Sequence, residues 1–151
     1  MDDVFARLFA HNEQSNRRYV EALRALRPIP ERASSIFSHV LNAHRIWNAR
    51  IAGEMPTGSW DVQPAETWED LNRFNHDRTR QVLAADSLDR VADYHDLKGN
   101  PHRSTVRDIL LQVVTHSSYH RGQLAMLIGA AGATPPVTDY IAFARELGNA
   151  G

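Results

Sequence analysis

The chain of 151 residues contains no cysteine. That absence excludes disulfides, thiolate metal ligands and a protein thiol nucleophile together, and leaves His, Asp and Glu for any metal chemistry. No apolar run approaches the roughly 20 residues of a membrane-spanning helix. The opening Met1-Asp2-Asp3-Val4-Phe5 is acidic and lacks the apolar stretch of a secretory signal. An excess of one charge is missing too. With 17 basic and 18 acidic residues the formal net charge is −1, which gives no electrostatic footprint for nucleic acid or an anionic membrane. The expectation is a cytoplasmic protein with neither nucleic acid nor membrane as partner. A single domain over residues 1–151 is long enough to bury a full core.

What the chain does have is apolar periodicity at helical spacing. Val4, Phe5, Leu8, Phe9, Tyr19, Val20, Leu23 and Leu26 recur at three- and four-residue steps, predicting a first helix over 2–27 with Asp2 or Asp3 as its cap and Pro28 and Pro30 as its stop. Asn12 and Asn16 interrupt this stripe, either lining a pocket or lying at its solvated edge. A second helix is predicted from Glu31 to Ala52, closed by Gly53. Residues 53–66 read as a loop packed by Met55 and Trp60. Thr67 and Asp70 resemble a capping box opening a third helix to Ala85, in which His76 lies in a polar run and reads as surface. The period changes between Asp86 and Ser104, where a short hairpin or an extended loop carries the solvated His95 and His102. Thr105 and Asp108 form another capping box at the head of a long fourth helix, ended by Gly129 and Gly132. Thr138 is placed to cap a last short helix, Asp139 to Leu147.

The fourth helix carries the chemistry. Val106, Ile109, Leu110, Val113, His116, His120, Leu124, Leu127 and Ile128 form one stripe, so two imidazoles sit a turn apart on its apolar face. Burying two imidazoles without a shared partner costs on the order of a few kcal/mol, and a metal ion relieves that cost. Ser117 stands where a zincin has Glu, and no Asp or Glu lies in 109–122, which argues against a zincin and against a carboxylate-bridged di-metal site. One ion with mainly nitrogen ligands remains, Zn²⁺ or Ni²⁺. The third ligand must come from elsewhere. On the second helix the apolar arc centres on Val40, Trp47 and Ile51, with His44 inside it and His39 on its flank. Periodicity leans to His44 and leaves His39 open.

His116-Ser117-Ser118-Tyr119-His120-Arg121-Gly122-Gln123 resembles the His-x-x-Tyr-His-Arg-Gly-Gln signature of the DinB family. Leu8-Phe9-Ala10-His11-Asn12 is similar to that family's opening helix, and His39 followed eight residues on by Trp47 to its second-helix motif. The segment from Pro135-Pro136-Val137-Thr138-Asp139-Tyr140-Ile141 through Arg145-Glu146 is similar to its C-terminal part. The resemblance implies an all-α, up-down-down-up four-helix bundle with a short C-terminal helix, often a homodimer. It implies one divalent metal on His39, His116 and His120, with His44 as a pocket residue or alternative ligand. It also implies a metal-dependent enzyme acting on a small molecule, an S-transferase using a low-molecular-weight thiol or a hydrolase. The alternative is a non-catalytic metal-binding stress-response module. Catalytic residues are left unassigned. Arg121 and Gln123 are read as structural or interface groups pointing away from the histidine pair, and Gly122 as allowing close helix packing. The family often has Arg-Trp after the Asn of helix 1, where Glu13-Gln14 stand here.

Overall fold

The computed structural model describes residues 3–150, which form five α-helices and a two-stranded ribbon. Four helices are long: α1 (Asp3–Arg24), α2 (Glu31–Ile51), α3 (Trp68–Ala85) and α4 (Val106–Ala130). The fifth, α5 (Tyr140–Asn149), is the short C-terminal one. Strands β1 (Val91–His95) and β2 (Pro101–Thr105) pair antiparallel, with Val91 opposite Thr105 and His95 opposite Pro101. The change of period before α4 is therefore a hairpin, with His95 and His102 exposed on it. Among the described residues no helix is long and apolar enough to cross a membrane.

Helices α1 and α2 each pack against both α3 and α4. Two apolar clusters hold the ends of this arrangement. One gathers Tyr19, Leu23, Ile36, Phe37, Trp68, Leu124 and Ile128. The other gathers Phe5, Phe9, Ile51, Ile109, Leu110 and Val113, with Ala92 of the ribbon closing over it. Helices α1 and α4 run from the Phe5 cluster to the Tyr19 cluster, and α2 and α3 run the opposite way. Between the clusters every long helix buries polar side chains: Asn12 and Asn16, His44 and Asn48, Asn72, Asn75, His76 and Thr79, then His120 and Arg121. Such groups are tolerated inside a protein only when hydrogen-bonded. This middle layer is where the histidines are found.

Local signals hold in part. Thr105 caps α4 as its spacing predicts, its Oγ1 accepting from the Asp108 amide at 3.1 Å. Gly53 follows α2 at φ +81°, a conformation glycine adopts without steric cost. Thr67 makes no side-chain cap, because its hydroxyl donates to the Pro64 carbonyl at 2.7 Å and residues Ala65–Thr67 form a 3-10 turn feeding α3. Asp70 pairs with Arg73 instead. The cap position of α5 belongs to Asp139, and the Thr138 carbonyl accepts from His11 Nε2 at 2.7 Å. The capping expected of Asp2 or Asp3 falls on side chains outside the described residues.

The loop after α2 is held differently from expectation. Met55 is 79% exposed and packs nothing down. Hydrogen bonds pin the loop instead: Gln63 N donates to Ser38 Oγ at 2.9 Å, and Asn42 Nδ2 donates to the Asp61 carbonyl at 2.7 Å. A Cβ added at Gly122 would meet nothing within 4 Å, so no close helix approach requires glycine there.

Candidate metal centre

Packing of α2 against α4 brings His39 beside His116 and His120, and one nitrogen from each ring lies within 4.8 Å of the others. The Nε2 of His116 is 3.1 Å from Nε2 of His39 and 3.1 Å from Nε2 of His120. Nitrogens bound to one ion at about 2.1 Å stand roughly 3.0–3.4 Å apart for bond angles between 90° and tetrahedral. The observed spacing fits that range.

The opposite ring edges decide what these nitrogens carry. His39 Nδ1 lies 2.7 Å from the Ser59 carbonyl, which can only accept, so Nδ1 holds the proton and Nε2 the lone pair. His120 Nδ1 lies 2.7 Å from Gln123 Oε1, which assigns its proton the same way. His116 can donate one Nε2 proton to one neighbour only. In the neutral cluster, one 3.1 Å contact therefore sets two lone pairs against each other. A cation at the convergence point turns that repulsion into ligation, and acceptors on the far ring nitrogens are how ligating imidazoles are commonly oriented. Burial also disfavours protonation of His39 and His116. It lowers the pKa of His39, and burial with the nearby His120 and His39 lowers that of His116 to about 4. The donor set fits a single divalent transition ion.

Three supporting residues escape a reading of the histidines alone. Ser59 and Gln123 hold His39 and His120, and the Trp60 ring stacks on His39, centroids 3.7 Å apart and planes 2° from parallel. Gln123 corrects the expectation that it points away. Three residues after His120 and seven after His116, it lies about 60° and about 20° from them around the helix. That spacing was the available signal.

His44 is not part of the group. Thr79 Oγ1 donates to Asn48 Oδ1 at 3.0 Å, so His44 Nε2, 2.8 Å from that hydroxyl, must be the donor and has no lone pair to offer there. Its neighbour is His76, which is fully buried and not on the surface, with ring centroids 4.7 Å apart. His76 Nδ1 donates to the Asn72 carbonyl at 2.8 Å, and its Nε2 accepts from Asn12 Nδ2 at 3.1 Å. Asn12 and Asn16 line the interior, each Oδ1 accepting from Arg121 Nη1, at 2.7 and 2.8 Å. Arg121 thus points into the interior beside α1 and away from the histidine group. Glu13, at the departure from the family pattern, accepts from Arg80 at 2.7 Å.

A family model for the DinB family matches residues 1–148. The chain belongs to the DinB family. A search of the curated proteins found no match. Among solved structures, the chain is similar to the crystal structure of a DinB-like protein from Bacillus cereus ATCC 10987. The two share 20% identity at a TM-score of 0.65, over 90% of this chain and 96% of that one. At that identity the likeness speaks for the DinB fold.

Proposed function

We propose that His39, His116 and His120 hold one divalent transition ion, Zn²⁺ or Ni²⁺, in a metal-dependent enzyme acting on a small molecule. The observation that carries this reading is the convergence of three Nε2 atoms whose lone pairs are assigned by acceptors behind two of the rings. When bound, such an ion supplies Lewis acidity toward water or a thiol sulfur. The chain's own part is to keep the imidazoles oriented, with Ser59 and Trp60 fixing His39 and Gln123 fixing His120. The chain has no cysteine, so any thiol must arrive as a cosubstrate.

A thiol-dependent S-transferase is the form of this activity that the family resemblance favours, with a hydrolase next. We read the four long helices as the family's up-down-down-up bundle, a reading supported by α1 and α4 running one way and α2 and α3 the other. A cytoplasmic homodimer is the proposed assembly.

Elemental analysis of protein purified without chelators or a His-tag tests the ion. The expected result is about one equivalent in wild type and in His44→Ala, and less than about a tenth in His39→Ala and His120→Ala. Assays of the loaded protein with an alkyl halide or epoxide and a panel of cellular thiols then test the reaction. With an alkyl halide the expected products are a thioether, the halide and a proton released to water; with an epoxide the product is a β-hydroxy thioether, the opened ring oxygen taking up the thiol's proton. An ion that binds stoichiometrically while no electrophile is consumed points to the non-catalytic metal-binding module.

A further inference from the structure

On the side of α4 away from the three histidines lies a second polar site. A cavity of about 220 Å³ opens among α1, α4 and α5, lined by Leu8, His11, Asn12, Ser118, Arg121 and Tyr140 among others. Ser118 is two residues from both His116 and His120, which at about 100° per residue puts it roughly 160° from each around the helix. The cavity and the histidine group therefore do not share a wall of α4.

Arg121 is the unusual feature of this cavity. Its residue surface is only 4% exposed, yet no carboxylate among the described residues pairs with it. A buried cation without a counter-charge is costly, and burial lowers its pKa to about 10, which still leaves it charged at neutral pH. The amide oxygens of Asn12 and Asn16 occupy Nη1 only. A guanidinium has five N–H donors, so the three on Nε and Nη2 have no protein partner among the described residues. They form a free edge of the kind that grips a carboxylate through two parallel bonds.

The second polar group narrows the ligand. His11 Nε2 is 2.7 Å from the Thr138 carbonyl, which can only accept, so Nε2 carries the proton and Nδ1 a lone pair. Burial lowers the His11 pKa, so this ring adds an acceptor and no second positive charge at neutral pH. An ammonium group here would be repelled by Arg121, whereas a hydroxyl can donate to His11. Leu8 and Val114 supply an aliphatic wall.

We propose that this cavity binds a small 2-hydroxycarboxylate, its carboxylate on the free edge of Arg121 and its hydroxyl toward His11. The site is separate from the metal and does not depend on it.

Titration calorimetry of the full chain, metal-free and metal-loaded, with racemic lactate tests this. Propionate, inorganic phosphate and chloride are the comparison ligands. Lactate is expected to bind equally with and without metal, and propionate, lacking the hydroxyl, about tenfold more weakly. Ser118→Phe places a ring over the cavity from an exposed helical position and is expected to abolish binding. Arg121→Gln is expected to weaken it at least about tenfold. If Arg121→Gln does not fold, Ser118→Phe decides. Absence of lactate binding at tens of millimolar, binding unchanged in Ser118→Phe, or preference for phosphate overturns the proposal. So does binding seen only with metal present, which moves the ligand to the histidine group. Failure of the metal reading leaves the metal-free titration intact, so the two proposals fail separately.

Discussion

Gln123 and Ser59 each accept a hydrogen bond from Nδ1–H of a candidate ligand, and so aim the lone pairs of His120 and His39. Neither needs to touch the ion to matter. Removing such an orienting partner frees the ring to rotate and lowers its basicity, which typically costs about 10–100-fold in metal affinity. Gln123→Ala is accordingly expected to retain one binding site and weaken it by about that factor, read by competition with a chromophoric chelator. Gln123→Glu, which keeps the acceptor and adds charge, should bind at least as tightly as wild type. Wild-type affinity in Gln123→Ala would falsify the orienting role. Ser59 cannot be tested in this way because it acts through its backbone carbonyl.

Between α2 and α3, the contact in the middle layer is made of amides, a hydroxyl and imidazoles. Asn75 Nδ2 donates to the Leu41 carbonyl, Asn48 Nδ2 donates to the Asn75 carbonyl, and Thr79 links Asn48 to His44. Thr79→Val keeps the shape and removes the link, leaving Asn48 Oδ1 without its donor and His44 Nε2 without its acceptor. Each stranded group costs about 1–3 kcal/mol. Urea unfolding should therefore show a loss of a few kcal/mol with an unchanged m-value, while metal stoichiometry stays at wild type because Thr79 does not touch the histidine group. This seam also marks how far the sequence could be read. The helices, the hairpin option and the two candidate ligands on α4 follow from apolar periodicity, because at their ends these helices bury Leu, Ile, Val and Phe. In the middle of α3 the same period is written in Asn72, Asn75, His76 and Thr79, and a search for apolar stripes takes that face for solvent. The regular i, i+3, i+4, i+7 spacing was there. Only its meaning depends on partners such as Asn12 and Asn48, which lie far away in the chain. Periodicity leans to His44 for the same reason, since its tautomer is set by Thr79 on another helix, and only the motif resemblance points to His39.

For the whole molecule, acid should act on the buried histidines and on the metal together. Burial holds His44 well below its ordinary value of 6.5 and lowers His76 to about 4. In the unfolded chain both titrate near 6.5, so between that value and about 4 the unfolded state binds more protons than the folded one. The sign follows. Their contribution is fully present above about pH 6.5 and is lost as pH falls toward 4, each imidazole adding about 1.4 kcal/mol per pH unit to the slope. A bound ion stabilises further by mass action, about 4 kcal/mol at a free concentration near 1,000 times Kd. For a domain of this size that raises Tm by about 10 °C. Protons compete for the same nitrogens, so the metal increment should shrink in acid as well. Melting with Zn²⁺ and with a chelator, at about pH 7.5 and about pH 5, separates the two effects. Wild type should show a large metal increment at the higher pH and a smaller one at the lower. His116→Ala should lose the increment at both, because it removes the nitrogen shared by the other two, yet keep the acid slope of the buried pair. His44→Phe, retaining all three candidate ligands, should keep the increment and show a shallower slope. An increment that survives in His116→Ala would place the ion elsewhere, and a slope unchanged in His44→Phe would remove that ring as a source of the acid sensitivity.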